Sequence, residues 1–239
     1  MPRIRRRTLR QAGWRAAAGL LAFMAAACGP QVSRPGVSES ASLRELDGRV
    51  SAAWAAVSRY RTVERIERAE AGGAWELTTP PVATDFVLPD RKYRRPAEPT
   101  KFPNYEYIVV GRTIYQKIDG QWSIVDWSQI APESELARSL EQFRTGGLDG
   151  SPFRLPPDVD GKMTPSGSEM LDGRLCRWYV GTALGPAGPV QLRVAIEEGR
   201  DLPCKTEAEY DGPTGRARNA IRYFDYNAAI QIEPPSPVS

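Results

Sequence analysis

The chain has 239 residues and contains no histidine. Histidine is the side chain most often used as a general base, as the activator of a serine or cysteine nucleophile, and as a metal ligand. The sequence also lacks a Walker phosphate-binding loop, a glycine fingerprint for dinucleotides and a CxxC pair. We therefore expect a protein that is not an enzyme, with no catalytic residues, no metal site and no cofactor.

One catalytic chemistry needs no histidine, because a pair of carboxylates can hydrolyse glycosidic bonds alone. A hydrolase of envelope glycans therefore stays an alternative. The Asp and Glu residues are, however, scattered through turns and strand faces, which is typical of a solvated surface.

Cysteine is scarce, and the first of the three cysteines, Cys28, ends a distinctive segment. A head rich in arginine is followed by an apolar run over 16–23 and by small residues at 25–27. This order is typical of a cleaved export signal, and the run is too short to span a bilayer. The segment resembles the signal and lipobox of bacterial lipoproteins, which implies that 1–27 are removed and that Cys28 carries acyl chains such as palmitate. The alternative is a plain secretory signal with an incidental cysteine.

The net charge changes sign when this segment is set aside. Six arginines and no acidic residues precede Cys28, so the remaining chain carries 26 basic and 29 acidic residues. A basic pI that belongs to the signal gives no support for nucleic-acid binding. The roughly 210 remaining residues are enough for one domain with its own core.

Residues 28–41 are polar and rich in Ser, Pro and Gly, which predicts a flexible tether. The folded domain is expected over 42–235. It begins with apolar residues at three- and four-residue steps, the spacing of one helical face: Leu43, Leu46, Val50, Ala53, Trp54, Val57 and Tyr60. A second, shorter helix is expected within 132–143.

From residue 61 onward the pattern is mostly that of short strands. Asp-Gly at 119–120 and again at 172–173 separates β-rich runs, which is the strongest short-range signal for a hairpin. Residues 190–196 alternate with a period of two, and a final run places Ile230 and Ile232 around Gln231. The fold class predicted is α+β, with a large antiparallel sheet and a few helices.

Cys176 and Cys204 are expected to form a disulfide, because exported proteins meet oxidising conditions. In a simple meander, however, one strand separates them by roughly 9–10 Å. That is beyond the ~7 Å limit between bridged Cα atoms. The bridge therefore requires strong sheet curvature or a bulge near Pro203.

Five segments can be compared with a known family: the first helix running into Tyr60-Arg61-Thr62-Val63, the strands over 111–127, Leu171-Asp172-Gly173-Arg174-Leu175-Cys176, Asp201-Leu202-Pro203 and 224–232. Together they resemble the LolA/LolB-like superfamily, including the LppX/LprG-type lipoproteins. The resemblance spans roughly 43–235. It implies a curved antiparallel half-barrel, covered by helices, that holds acyl chains in an apolar cavity.

This resemblance implies a membrane-anchored carrier of lipid, glycolipid or lipoprotein acyl chains, monomeric and located in the cell envelope. The membrane would be the outer face of the plasma membrane or the outer membrane. Candidate cavity residues, chosen from strand parity and aromatic content, are Trp54, Trp122, Trp178, Val194 and Ile196. The runner-up is a regulatory or structural envelope protein that binds a protein partner. Sequence alone does not separate a hollow sheet interior from a filled one.

Overall fold

Thirteen β-strands and one α-helix form the part of the chain that the structure, a computed structural model, describes. The described residues are 41–70, 73–98, 106–125, 162–185, 188–212 and 215–236. They all belong to one compact unit, Ser38–Ser239. Cys28, most of the expected tether and the helix expected within 132–143 lie outside the described residues, so these remain predictions.

The elements follow one another in this order: β1 (Ala41–Ser42), α1 (Leu43–Trp54), β2 (Arg59–Ala69), β3 (Glu76–Leu77), β4 (Val82–Val87), β5 (Arg91–Pro96), β6 (Tyr107–Val110), β7 (Thr113–Ile118), β8 (Gln121–Ile124), β9 (Lys162–Leu171), β10 (Arg174–Gly185), β11 (Gly188–Glu197), β12 (Pro203–Gly212) and β13 (Gly215–Phe224).

Helix α1 begins with a capping box. The Ser42 side chain accepts a hydrogen bond from the Glu45 backbone N–H, and the Glu45 carboxylate accepts one from the Ser42 N–H. The helix ends at Trp54, earlier than the apolar spacing predicts. Tyr60 continues the pattern although it lies in β2, because it is buried in the same core as Trp54. Within the described residues no helix has both the length and the apolar character to cross a membrane.

The described strands form a single antiparallel sheet. Its order is β1-β9-β10-β11-β12-β13-β2-β4-β5-β6-β7-β8, with β3 paired beside β2. The path ends at β1 and β8, so the described sheet is open, and one helix accompanies it. The α+β class with a large antiparallel half-barrel sheet is thus confirmed.

Both Asp-Gly hairpins form as predicted. Asp119 and Gly120 have φ of 50° and 83°, and Asp172 and Gly173 have φ of 50° and 75°. Positive φ at both central positions is the requirement of a type I′ turn. Asp119–Gly120 joins β7 to β8, and Asp172–Gly173 joins β9 to β10.

The last alternation of apolar residues in the sequence lies in a buried segment that is not a strand. Ile230 and Ile232 are each 3% exposed, whereas Gln231 between them is exposed. The segment pairs with no strand in the described sheet. Its isoleucines pack on Ile108 of β6. The alternation therefore marks a segment that packs against the sheet, and the expectation of a last strand was wrong.

Candidate functional site

The sheet has two chemically different faces, and the strand register assigns each residue to one of them. Residues directly opposite each other in neighbouring antiparallel strands share a face, and successive residues alternate. We call the face that packs against α1 the inner face and the opposite one the outer face. Tyr179 and Val194 are paired and belong to the inner face, while Trp178 and Ala195 are paired and belong to the outer face.

The five candidate cavity residues do not share one face. Trp54, Val194 and Ile196 lie on the inner side. Trp178 packs with Cys176, and Trp122 lies opposite Lys117 and packs against the Ile108 cluster, both on the outer side. Aromatic content does not determine the face of a strand residue, so these two tryptophans cannot line the same cavity as Val194.

Beneath α1 the inner face is filled. Leu43, Leu46 and Val50 of the helix are at most 1% exposed. They pack against Met163, Tyr179, Val194 and Ile196 of the sheet. Because native interiors are close-packed, these contacts leave no room for a ligand at Val194 and Ile196. The two residues are core beneath the helix, where a cavity lining was expected.

An aromatic cluster continues this core from the end of α1. The Trp54 ring meets the Tyr60 ring edge-on at 4.8 Å, and Tyr60 stacks on Phe86 at 4.4 Å. Tyr223 and Tyr226 complete the cluster around Trp54. Burial raises the pKa of Tyr223 to about 12 and raises the pKa of Tyr226 well above its ordinary value. These two tyrosines therefore stay neutral to a higher pH than an exposed tyrosine does.

Beyond α1 the inner face continues over β11, β12, β13 and β2 with less cover. One row across these strands is Leu192, Ala208, Asn219 and Ile66, and all four are half-buried. The next row is Val190, Tyr210, Ala217 and Arg68, in which Tyr210 is 43% exposed. We call these two rows the distal inner face. It is mostly apolar, and it is more exposed to solvent than the surface beneath the helix.

A polar group interrupts the distal inner face at its border with the core. Asn219 Nδ2 donates to Glu64 Oε1 at 3.0 Å, and Arg94 Nη2 donates to Glu64 Oε2 at 3.4 Å. The buried hydroxyl-bearing residues Thr62 and Thr84 are paired in the neighbouring row. An amphiphile on this face would therefore meet both apolar and hydrogen-bonding groups.

The distal inner face opens into a hollow of about 770 Å³ at the ends of β2 and of the β12–β13 hairpin. Tyr210, Ala217 and Arg68 belong to both, which makes the two surfaces continuous. Leu77, 51% exposed, adds an apolar side chain, while Glu70 and Arg216 add charges. The volume lies within the roughly 300–1,000 Å³ of small-molecule sites.

A β-bulge and a disulfide hold the sheet together at the end of the strands opposite this hollow. Ala195 is opposite Lys205, but Ile196 is opposite Pro203, so Cys204 is an extra residue in β12. Cys176 lies opposite Glu197, where β11 ends. Cys204 is thereby brought to a Cα–Cα distance of 6.4 Å from Cys176, to which it is joined by a disulfide. The bulge resolves the geometric objection raised by a simple meander.

Arg174 reinforces the same end of the sheet. It donates a hydrogen bond to the Tyr223 carbonyl oxygen, although β11 and β12 separate β10 from β13. Its guanidinium also lies 3.6 Å from a Glu197 carboxylate oxygen and 5.5 Å from the centre of the Tyr226 ring. This side chain therefore links β10 to β13 and to the segment after it, a contact that no sequence motif indicated.

The described residues contain no group of three His, Cys, Asp or Glu side chains placed to hold a metal ion. What they offer chemically is apolar area, hydrogen bonds and ion pairs. Groups of this kind can bind and orient a molecule by burial, hydrogen bonding and charge.

Comparisons with known proteins gave matches in structure only. No family model matches the chain, and no curated protein matches it. Among solved structures, LprF from Mycobacterium bovis is matched at 14% identity with a TM-score of 0.48, covering 80% of this chain and 96% of LprF. A LolA superfamily protein from Nitrosomonas europaea is matched at 11% identity and TM-score 0.32, covering 82% of this chain and 96% of that protein.

A third match is an outer membrane lipoprotein-sorting protein domain from Vibrio parahaemolyticus, at 10% identity and TM-score 0.28. It covers 78% of this chain and 93% of that domain. These matches include the kinds of protein that the sequence resembles. The strand order and register of the chain define its fold independently of these matches.

Proposed function

We propose that the chain is a membrane-anchored, non-enzymatic carrier that binds acyl chains of a lipid, glycolipid or lipoprotein in the cell envelope. The observation that carries this proposal is the distal inner face. It is an apolar surface, half-buried at Leu192, Ala208 and Ile66, that runs into an open hollow beside Tyr210. Cargo would lie there and not at Val194 and Ile196, where the helix already packs.

The energetics of such binding are adequate. Burying one methylene group contributes roughly 0.8 kcal/mol, so about ten buried methylenes would contribute around 8 kcal/mol before entropy costs. The absence of histidine fits a carrier, which needs no acid–base residue. Acylation of Cys28 would keep the domain within tether reach of the membrane and raise its effective concentration there.

The carrier proposal is tested by what the protein retains on purification. Residues 29–239, exported without the lipidated cysteine, should yield an amphiphile when extracted with organic solvent and examined by mass spectrometry. Ala208→Phe, which fills the distal inner face, should reduce the yield at least severalfold. Glu209→Gln, the adjacent outer-face position, should leave it unchanged. A domain that carries no amphiphile would contradict the proposal.

The anchor is tested separately by labelling cells with a fatty-acid analogue. The wild-type protein should be labelled and Cys28→Ser should not, because the thiol is the acceptor of the acyl chain. Equal labelling of both proteins would refute acylation at Cys28.

The runner-up function, binding of a protein partner, is favoured by one feature. Met170 and Leu175 are paired near the tip of the β9–β10 hairpin and are 61% and 45% exposed. An apolar pair of this kind can serve as a small contact site. If no amphiphile is found, Met170→Ser with Leu175→Ser should abolish capture of the partner by crosslinking in intact cells.

A further inference from the structure

The outer face carries a hollow of its own, on the opposite side of the sheet from the distal inner face. It has a volume of about 480 Å³ and lies over β2, β13 and β12. Val63 and Ala220 form its floor, and Ala220 is 9% exposed. Ala220 is directly opposite Arg65 on one side and Glu207 on the other. A methyl group among long side chains accounts for the depression.

Four cationic side chains line this outer hollow: Arg65, Lys205, Arg218 and Arg222. Arg222 is directly opposite Lys205 in the neighbouring strand, on the same face. Like charges in directly opposite positions repel each other and destabilise a sheet. Glu207 and Asp172 each contact one of these two cations and offset part of the repulsion, and an anion placed between the cations would reduce it further.

Two of the three carboxylates in the outer hollow are ion-paired, partly with Lys205 and Arg218 of the hollow itself. Glu207 is held by Arg193 and Lys205, each at 2.7 Å, and Glu67 is held by Arg218 at 2.6 Å. The remaining acid, Glu98, is exposed at the rim.

Two of the cationic side chains in the outer hollow have nitrogen donors that can still bind an anion. Arg222 contacts Asp172 through Nε at 3.4 Å, which leaves its terminal nitrogens available for another acceptor. Among the residues that the structure describes, Arg65 has no carboxylate within ion-pair distance. The donors left for an anion are therefore the Arg65 and Arg222 guanidinium groups. The Lys205 ammonium beside them contacts Glu207 and has further N–H donors.

We propose that the outer hollow binds a phosphate-type anion, held by Arg65, Arg222 and Lys205. Guanidinium forks match the oxygens of a phosphate and form two parallel charge-assisted hydrogen bonds with it. The anion is either free phosphate or the phosphate of a lipid headgroup in the membrane. The site lies on the other face from the proposed acyl-binding surface, so it does not depend on the carrier function.

The test uses the full-length protein in a neutral, phosphate-free detergent at constant ionic strength. Inorganic phosphate and dihexanoyl phosphatidylglycerol are titrated separately by isothermal calorimetry, with sodium chloride as the comparison salt. We expect saturable binding of one or both, and the ligand that binds more tightly identifies the source of the phosphate. Arg65→Gln should weaken binding about tenfold, which corresponds to ~1.4 kcal/mol.

Two further variants separate a built site from general surface charge. Arg59→Gln removes the same charge from the outer face of β2 but lies outside the hollow, so it should leave affinity unchanged. Ala220→Leu fills the floor and should abolish binding, provided that its thermal unfolding shows an intact fold. No saturable binding of either probe, or equal weakening by Arg59→Gln and Arg65→Gln, would overturn the proposal.

Discussion

The inner and outer faces of the sheet are built from the same strands but are stabilised in different ways. In β11, Val194 and Ile196 are each 2% exposed beneath α1. Their neighbour Arg193 points to the other face, where it binds Glu207 and lies 4.7 Å from the centre of the Trp178 ring. One step along the strand thus exchanges an apolar core for an ion-paired surface.

The difference indicates where stability comes from and where the chain can bind other molecules. Burial of apolar area is the dominant favourable term in folding, so the inner face beneath α1 is expected to carry most of the stability. Partly exposed ion pairs contribute about 0–1 kcal/mol each. The outer face can therefore carry a charged hollow without a large effect on stability. The buried cluster at the disulfide is the part of this face that is expected to contribute more.

The largest expected effect comes from placing a charge on the inner face. Val194→Asp would bury an unpaired carboxylate and should lower the free energy of unfolding by about 4 kcal/mol or more. Gln191→Lys, which places a charge on the exposed outer face of the same strand opposite Glu209, should change it by less than about 0.5 kcal/mol. Urea unfolding followed by circular dichroism measures both. Comparable losses in the two variants would show that the faces are not distinct.

The next effect concerns the covalent link on the outer face. Replacing Cys176 and Cys204 together with serine removes a bridge between residues 28 positions apart. The loop-closure estimate for such a link is about 3–4 kcal/mol. Wild-type protein in a thiol reductant should show the same loss in thermal unfolding. An unchanged midpoint in both experiments would mean that the bulge alone holds this end of the sheet.

The prediction with the smallest effect at neutral pH concerns the aromatic cluster on the inner face. Because the folded pKa of Tyr223 is raised from 10.0 to about 12, its stabilising contribution is complete below pH 10 and is lost as the pH rises through 12. Tyr223→Phe should cost about 1 kcal/mol at pH 7, through its lost side-chain hydrogen bond to Thr206.

Between pH 9 and pH 12 the same variant should lose less stability than the wild type, because phenylalanine does not ionise. Urea unfolding at pH 7, 9, 11 and 12 measures this difference, and the pH 7 values serve as the internal control. Parallel loss in both proteins would exclude Tyr223 as a source of alkaline instability.

The elements most accessible from the sequence were those with local causes. Asp172–Gly173 specifies its turn through backbone conformation, and the alternation over 190–196 matches strand β11, although Ala195 on the outer face is buried as well. Strands β2, β4 and β5 were not located individually. In β2, arginine and glutamate occupy six of the eleven positions, four on the outer face and two on the inner face, so the hydrophobic alternation is obscured. Neighbouring strands supply ion-pair partners for some of them, as for Glu64 and Glu67.

The candidate site was less predictable because it depends on pairing between distant strands. Parity correctly placed Val194 and Ile196 together, but whether α1 fills the space above them is a tertiary property. Trp178 was assigned to the cavity by residue type, although its place opposite Ala195 puts it on the outer face. The bulge at Cys204 likewise follows from the register of β11 and β12, which no local motif specifies.

The pairing of β13 with β2 has a consequence for how the protein is made. These strands pair over nine residue positions, and β2 lies between β13 and β4. The sheet therefore cannot be completed until residues 215–224 have been synthesised, and its nascent form exposes an unpaired β2 edge. Contacts of such sequence separation slow folding. Until that point the open strand edges can pair with other chains, so the incomplete chain is expected to aggregate more readily than the folded one.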